Sequence, residues 1–275
     1  MTPATAIEFA GLPGQSLQGL MDLVLQFFIM SLRIGAFAIA APFFGSRLIA
    51  LPTRIIFACG MAVFVMGRIS APPVAELTSL ALVPIIAQEL AIGLVAGLVL
   101  NIFFGAVSIA GEKIASSGGL SFAAQVDPSS GGQTPVVAQI FSLFLTAVFL
   151  SLNGHLVALG LMVESYRMMP VGAGVFYDGL ISAGETAAGE MFSTAARLML
   201  PIVTVLFLVN VTIGLITRSA PTLNLFSFGF PITLMTVFVL LFLASGPIGF
   251  AFQDVATHSL DLLGETLRGG LFNGQ

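Results

Sequence analysis

Long apolar blocks alternate along the chain with short stretches that hold its charged residues and many of its glycines and prolines. About 22 uncharged residues separate Glu89 from Glu112, and about 20 separate Arg197 from Arg218. Stretches of about 20 apolar residues are as long as a helix must be to cross a bilayer. The pattern predicts an all-α membrane protein with about six partly broken helices. The apolar blocks cover residues 17–44, 53–69, 78–111, 136–168, 186–217 and 222–252.

Prolines and glycines fall inside these blocks or at their edges. A proline in a helix interior removes a backbone hydrogen bond and clashes with the preceding turn, so we expect several helices to be kinked or interrupted. Broken backbone at membrane depth persists only where protein or a water-filled cavity satisfies it. The prolines concerned are Pro42, Pro84, Pro201, Pro231 and Pro247.

Two stretches are predicted to connect helices. Ser116–Pro135 is rich in glycine, serine and proline, a composition typical of a loop. Pro170–Glu185 contains four glycines and is expected to be a solvated connector. The first 32 residues contain no lysine or arginine, so we expect the N-terminus to be retained rather than cleaved as a secretory signal peptide.

The composition indicates what surrounds the chain. Hydrophobic residues make up 57% of the sequence and charged residues 8%, with a mean hydropathy of +1.06, so lipid or an equally apolar partner must surround much of the protein. The sequence has no tryptophan and two tyrosines, too few for the aromatic belts common at membrane interfaces. This favours extensive contact with other protein.

Several functional classes are disfavoured. The net charge is −4 and the nine lysines and arginines are scattered singly, so no basic patch suits nucleic acid. His155 has no second metal ligand on the same turn, and His258 lies in an amphipathic tail from Asp254 to Arg268. Cys59 is the only cysteine, which excludes an intramolecular disulfide. Because the common catalytic and nucleotide-binding motifs are also missing from the sequence, we expect neither an enzyme nor a bound cofactor.

One helix ridge is defined by spacing. Glu89, Gly93, Gly97, Asn101 and Gly105 recur every four residues, so they lie along one side of a helix. Glycines in such a ridge let another helix approach closely, and the polar members can form hydrogen bonds across the contact. We expect this ridge to be a helix-packing surface.

Charged residues inside apolar blocks are costly and usually functional. Arg33, Glu89, Glu164 and Arg197 are of this kind. For Arg33 and Glu89 three roles remain open: pairing between helices or subunits, snorkelling to the membrane surface, and transport chemistry. Glu164 lies three residues before Arg167 near the end of a block, where we expect the pair to mark the interface with water.

A short polar motif interrupts the fourth apolar block. Asn153, Gly154 and His155 stand between two strongly apolar segments. Asparagine and glycine tolerate backbone conformations that end helices, so the motif is expected to break the helix and to form hydrogen bonds.

Several stretches of the sequence resemble a known protein family. In their order and spacing they are similar to the FliR family of flagellar biosynthesis proteins, over residues 32–252. The central stretches are Gly111-Glu112, Gly119–Ala123, Asp127-Pro128, Pro135–Ala138, Asn153–His155, Ser165 and Pro170. The flanking ones are Arg33, Ala41-Pro42 and Pro52 before them, and Arg218–Pro221, Asn224, Phe226 and Gly229–Pro231 after them.

The resemblance implies a fold and a role. Family members are structural subunits that assemble with FliP and FliQ into the gate of the type III export apparatus, in which helical hairpins wind into a cone. It implies one FliR-like domain over residues 1–275, with a FliP-like N-terminal and a FliQ-like C-terminal portion. By the same resemblance we expect the chain to lie in the inner membrane, in contact with its lipid, at the flagellar basal body. We expect its partners to include FlhA-like and FlhB-like export proteins and unfolded flagellar export substrates. Arg218, Pro221 and Asn224 become candidate packing or interface residues.

The resemblance also implies a plug. In the family the loop between the third and fourth apolar blocks closes the pore, and a plain connecting loop is the alternative here. An apolar, glycine-containing segment could close a channel by excluding water and ions. The matching core of the linker is Gly118, Gly119, Leu120, Ser121, Phe122, Ala123, Ala124, Gln125 and Val126.

Two other functions remain open. The first is an injectisome gate subunit, although the intact Asn153-Gly154-His155 and the uncharged Pro231-Ile232-Thr233 resemble flagellar members. The second is a small-solute secondary transporter, in which Glu89 or Glu164 would couple transport to protons near broken helices.

Overall fold

The described part of the chain is mostly helical. The computed structural model describes residues 17–46, 49–69, 82–120, 136–172, 177–220 and 228–269, and these ranges contain no strand. The predicted all-α class is therefore confirmed. The helices within these ranges are α1 (Leu17–Ala40), α2 (Leu51–Met66), α3 (Leu82–Ser117), α4 (Val136–Ser151), α5 (Gly154–Met168), α6 (Tyr177–Ser219), α7 (Phe230–Leu243) and α8 (Ser245–Gly269).

Two of the predicted apolar blocks are each divided between two helices. Helices α4 and α5 bend by 66° where they join, and α7 and α8 bend by 64°. At the first bend Asn153 has φ of +56°, and a Cβ atom on Gly154 would lie 2.6 Å from the Phe149 ring. A left-handed backbone followed by a residue with no side chain allows this sharp turn. With each bent pair counted as one broken block, the described residues contain the six partly broken apolar helices that the sequence predicts.

Most of the prolines singled out in the sequence lie at helix ends. Pro84, Pro231 and Pro247 fall in the first turns of α3, α7 and α8, and Pro42 follows the end of α1. N–H groups in a first turn have no acceptor within the helix, so proline there removes no hydrogen bond. Only Pro201, among these five, is inside a helix, and α6 continues through it. Pro201 therefore does not interrupt α6.

The two predicted connectors are shorter than expected. Helix α6 begins at Tyr177, so the second half of the stretch Pro170–Glu185 is helical. Glycine inside a helix costs only about 1 kcal/mol relative to alanine, and a helix of 43 residues tolerates that cost. Helix α3 likewise extends to Ser117, two residues into the predicted linker.

Among the described residues, three helices are long and apolar enough to cross a bilayer. These are α1, α3 and α6, and the count rises to five if each bent pair forms one span. The predicted membrane class is thereby confirmed. Helices α3 and α6 have 36 and 43 residues, which correspond to about 54 and 65 Å. Both exceed the hydrocarbon thickness of about 30 Å.

The chain divides into two compact units, each assembled from separate segments. Unit 1 comprises Met1–Leu100, Val157–Gly184 and Leu263–Gln275. Unit 2 comprises Asn101–Leu156 and Glu185–Leu262. Helices α3, α5, α6 and α8 each contribute residues to both units.

Each unit has its own core. In unit 1, α1 packs against α2, and the buried cluster there also includes Tyr166 of α5. In unit 2, aromatic rings pack edge to face: Phe104 lies 5.7 Å from Phe149, and Phe141 lies 5.4 Å from Phe252, between ring centres. Such pairs add about 0.5–1.5 kcal/mol to the burial of their area. They connect α3 with α4 and α4 with α8.

Candidate functional site: a buried ion-pair cluster and a fixed linker base

The first part of the candidate site is an ion pair between α1 and α3 in unit 1. The Arg33 Nε donates to Glu89 Oε2 and its Nη2 donates to Glu89 Oε1, each over 2.8 Å. Both side chains are completely buried. Two parallel charge-assisted hydrogen bonds form the strongest arrangement available to a guanidinium and a carboxylate. The pair neutralises two charges that would each be costly to bury alone.

Helix α5 and the residue after it complete the surroundings of the Arg33 guanidinium. The Nη1 atom donates to Ser165 Oγ over 3.1 Å, and Nη2 donates to the Met169 carbonyl oxygen over 2.8 Å. The guanidinium carbon lies 4.2 Å from the centre of the Tyr166 ring. Four of its five N–H groups therefore have an acceptor, and a ring face adds a cation–π contact.

Two further hydrogen bonds position the α5 side chains. The Tyr166 hydroxyl donates to the Met30 carbonyl oxygen over 2.5 Å, one turn before Arg33. The Ser165 hydroxyl donates to the Met162 carbonyl oxygen over 2.7 Å, which leaves its oxygen free to accept from Arg33. The cluster thus joins α1, α3 and α5 through one charged group.

Glycines bring α3 close to α1 beside the ion pair. Gly93 and Gly97 follow Glu89 at intervals of one turn. A Cβ atom on Gly93 would overlap the Arg33 carbonyl oxygen, and one on Gly97 would lie 2.6 Å from the Ala40 Cβ. No larger residue fits at this separation, because real Cβ atoms do not approach other heavy atoms so closely.

The remaining two members of the predicted ridge lie in unit 2. Asn101 is exposed. A Cβ atom on Gly105 would lie 3.8 Å from the Met191 sulfur, an ordinary contact distance. The close approach to α1 is therefore made by the first three ridge residues, Glu89, Gly93 and Gly97.

The second part of the candidate site is the base of the linker in unit 2. Helix α3 ends in a Schellman motif: Gly119 has φ of +80°, its N–H donates to the Ser116 carbonyl over 3.1 Å, and the Leu120 N–H donates to the Ala115 carbonyl over 3.0 Å. Glycine suits this position because a left-handed backbone costs it little.

Neighbouring helices hold this end of α3. The Asn210 Nδ2 of α6 donates to the Ser117 carbonyl oxygen over 3.0 Å. The Val237 side chain of α7 lies directly over Gly118, which is buried and has no room for a Cβ atom. Gly118, Gly119 and Leu120 are thus part of a helix cap. The other predicted plug residues, Ser121, Phe122, Ala123, Ala124, Gln125 and Val126, lie outside the described residues.

Other residues singled out in the sequence lie apart from these two places. Asn153 and Gly154 form the bend between α4 and α5, and His155 is half-buried at the start of α5. Arg218 is exposed in the last turn of α6, where a positive charge interacts favourably with the helix dipole. Pro221 and Asn224 lie outside the described residues.

The Glu164–Arg167 pair and the candidate metal ligands do not form a further functional site in the described part of the chain. Glu164 and Arg167 form an ion pair over 3.3 Å, with side chains 45% and 59% exposed. An exposed pair three residues apart contributes less than about 1 kcal/mol. Within the described ranges no group of three or more His, Cys, Asp or Glu residues could hold a metal ion.

Comparison with known proteins identifies the family. The model of the family described as bacterial export proteins, family 1, matches residues 24–259. The flagellar biosynthetic protein FliR of Pectobacterium carotovorum subsp. carotovorum is 32% identical over 249 residues, which cover 90% of this chain and 95% of that protein. The chain belongs to the FliR family of bacterial export proteins. Other FliR relatives include those of Escherichia coli K12, 37% identical over 58% of this chain and 61% of the relative, and Bacillus subtilis 168, 28% identical over 90% and 96%.

Membership of the FliR family confirms the resemblance seen in the sequence. This FliR-family chain is a membrane component of the flagellar protein export apparatus.

Some residues of the candidate site had no predicted role in this FliR-family chain. Tyr166, Met169, Asn210 and Val237 were not singled out, and Ser165 entered only as part of the resemblance. A buried serine and tyrosine in an apolar block need polar partners, which was an available signal. The backbone carbonyl of Met169 leaves no trace in sequence, and Val237 acts only through its shape.

Proposed function

We propose that this chain is a structural, pore-forming subunit of the gate of the flagellar type III protein export apparatus, not an enzyme. It assembles with FliP-like and FliQ-like subunits and works beside FlhA-like and FlhB-like proteins, in the inner membrane at the flagellar basal body. Its N-terminal portion is FliP-like and its C-terminal portion FliQ-like. The observation that carries the proposal is the match to relatives named flagellar biosynthetic protein FliR over almost their whole length.

The dimensions and surfaces of the helices support assembly with other subunits. Helices α3 and α6 are about 54 and 65 Å long, so a single bilayer of about 30 Å covers only part of either. In an apolar stretch of 18 residues within α6, 17% of the residues are buried within the chain. Large side chains such as Phe207 and Phe242 are 62% and 78% exposed. Apolar surface outside the bilayer has to be covered by protein.

The base of the linker supports a gating role for the residues that follow. Gly118–Leu120 is fixed by the cap of α3, by Asn210 and by Val237. The six plug residues after it include Phe122, Ala123, Ala124 and Val126, an apolar set suited to excluding water and ions. In the proposed mechanism Gly118–Val126 is the plug: Gly118–Leu120 stays in place as its base, and residues 121–126 seal the closed channel and are displaced when an unfolded export substrate enters.

Deletion of residues 118–124 tests this mechanism. In cells that produce the other gate subunits, the variant should assemble into the complex and make the membrane permeable to small ions. Membrane conductance or ion-sensitive dyes measure the leak, and co-purification measures assembly.

The linker provides a control of equal length. Deletion of residues 127–133 removes seven residues of its polar half, Asp127-Pro-Ser-Ser-Gly-Gly-Gln, and should leave the membrane tight. A tight membrane around an assembled complex that lacks residues 118–124 would rule out the plug.

The transporter alternative is less well supported. Both carboxylate oxygens of Glu89 accept hydrogen bonds from Arg33 in a completely buried site, an arrangement unsuited to reversible proton uptake from water. Glu164 forms its ion pair at the surface.

A further inference from the structure

A polar cavity lies in unit 2 between α6 and α8. Its volume is about 270 Å³. Helix α6 contributes Glu190, Thr194 and Arg197, α8 contributes Asp254 and His258, and Phe103 of α3 also lines it. We call it the α6–α8 cavity. Neither the buried ion pair nor the linker base uses any of these side chains.

The sequence builds the α6–α8 cavity from two helix faces. Residues 190, 194 and 197 follow the i, i+4, i+7 spacing of one face of α6, and residues 254 and 258 are one turn apart on α8. The His258 and Phe103 rings pack edge to face, with 5.5 Å between their centres. Ionisable side chains of the two helices therefore lie at one place. Arg197, Asp254 and His258 are exposed in the isolated chain, and burial by another subunit would make their charge expensive unless neutralised.

The charges of the α6–α8 cavity do not balance. Two carboxylates and one guanidinium give a net charge of −1 when His258 is neutral. Within the described part of the chain, no carboxylate lies within 4.0 Å of the Arg197 nitrogens. The Glu190 carboxylate accepts a hydrogen bond from Ser193 Oγ over 3.1 Å. One further monovalent cation would neutralise the group.

The size of the α6–α8 cavity and its surroundings limit the occupant. A volume of about 270 Å³ is below the range of about 300–1,000 Å³ typical of small-molecule sites and suits a single side chain. The face of α6 that lines the cavity continues with Leu208 and Leu215, which are 59% and 61% exposed. Phe250, beside the cavity on α8, is 74% exposed. An apolar helix could lie along this face.

We propose that the α6–α8 cavity receives one basic side chain, lysine or arginine, from an apolar helix of a neighbouring export-gate subunit. This inference rests on the proposed function, because it requires the chain to assemble with other subunits. The basic group lies between Glu190 and Asp254 and neutralises the cavity. A zwitterionic lipid headgroup would leave the charge of −1 in place, so the charge balance favours a cationic side chain.

The first test measures assembly of the full-length chain with its FliP-like and FliQ-like subunits. Glu190→Gln and Asp254→Asn keep the side-chain shapes and remove the negative charges. The double variant should bind the neighbouring subunits about thirtyfold more weakly or worse, the low end for loss of one partner of a buried charge pair. Glu185→Gln, an exposed acid of α6 outside the cavity, is the matched control and should bind like wild type.

The outcomes separate this inference from the proposed function. If wild type assembles and the double variant assembles equally well, the cavity proposal is overturned and the proposed function stands. If wild type itself does not assemble, both fail. Circular dichroism and elution volume in detergent check that each variant is folded. Asp254→Lys should also block assembly, and a basic-to-acidic substitution in the neighbouring subunit should restore it.

The second test identifies the source of the positive charge. In a Cys59→Ser background, a Thr194→Cys variant places a thiol in the α6–α8 cavity. A maleimide should label it in the isolated chain embedded in native lipid, and the assembled complex should protect it. Equal protection in both preparations would mean that lipid already fills the cavity, and would overturn the proposal.

Discussion

Removal of the Glu89 carboxylate tests whether the buried cluster depends on charge neutralisation. The Glu89→Leu variant leaves the completely buried Arg33 guanidinium with only Ser165 and the Met169 carbonyl as hydrogen-bond acceptors. Loss of one partner of a buried ion pair costs about 3–5 kcal/mol. That is a large share of the 5–15 kcal/mol that stabilises a typical folded chain, so we expect low cellular amounts and early thermal unfolding in detergent.

A double-mutant cycle isolates the contribution of the pair. Arg33→Met with Glu89→Leu replaces both charges by apolar groups and should recover most of the lost stability, since well-packed apolar residues often substitute for a buried pair without loss. The Ser165 and Met169 acceptors then lose a donor, at about 1 kcal/mol each. We expect a coupling energy of at least about 2 kcal/mol between the two positions.

Reversal of the pair provides a directional control. Arg33→Glu with Glu89→Arg keeps both charges but points a carboxylate at the Met169 carbonyl oxygen, which now accepts from Arg33. The reversed pair should therefore remain well below wild type. Unfolding of purified full-length protein in detergent, followed by circular dichroism, measures Glu89→Leu, Arg33→Met, the double variant and the reversed pair. A Glu89→Leu variant as stable as wild type would refute the reasoning.

Two glycine predictions follow from the helix contacts. Gly97→Ala should destabilise the packing of α3 against α1 by about 1–3 kcal/mol, the usual effect of overpacking. Gly105→Ala should be neutral or slightly stabilising because its Cβ has room. Unfolding in detergent compares the two variants, and equal losses of stability would contradict the assigned contact. Gly118→Ala should disturb the linker base and reduce swimming motility. Val237→Ala in the same chain should restore motility by making room for the added methyl group. If the second change does not restore motility, the contact between Gly118 and Val237 is not the cause of the defect.

Local rules account for what the sequence predicted well. The four-residue spacing placed Glu89, Gly93 and Gly97 on one side of a helix without knowledge of the partner helix. The break at Asn153-Gly154 could be predicted because a left-handed residue and a missing side chain are requirements of the chain itself. The all-α membrane class followed from the lengths of the apolar blocks.

Long-range contacts could not be derived in the same way. Arg33 and Glu89 lie 56 positions apart, and their local sequences left pairing, snorkelling and transport all open. The Asn210 contact with Ser117 joins residues 93 positions apart. Four of the five prolines lie at helix ends, but the local sequence does not distinguish a proline in the first turn of a helix from one in its interior, such as Pro201.

The four hydrogen bonds of Arg33 also restrict how α1, α3 and α5 can slide past one another. Apolar side chains can exchange one set of neighbours for another at little cost, so smooth apolar helices tolerate a shift of one turn, about 5.4 Å. A guanidinium held by a carboxylate, a hydroxyl and a backbone carbonyl has a single favourable register. In this component of a protein export apparatus, that register keeps the three helices aligned.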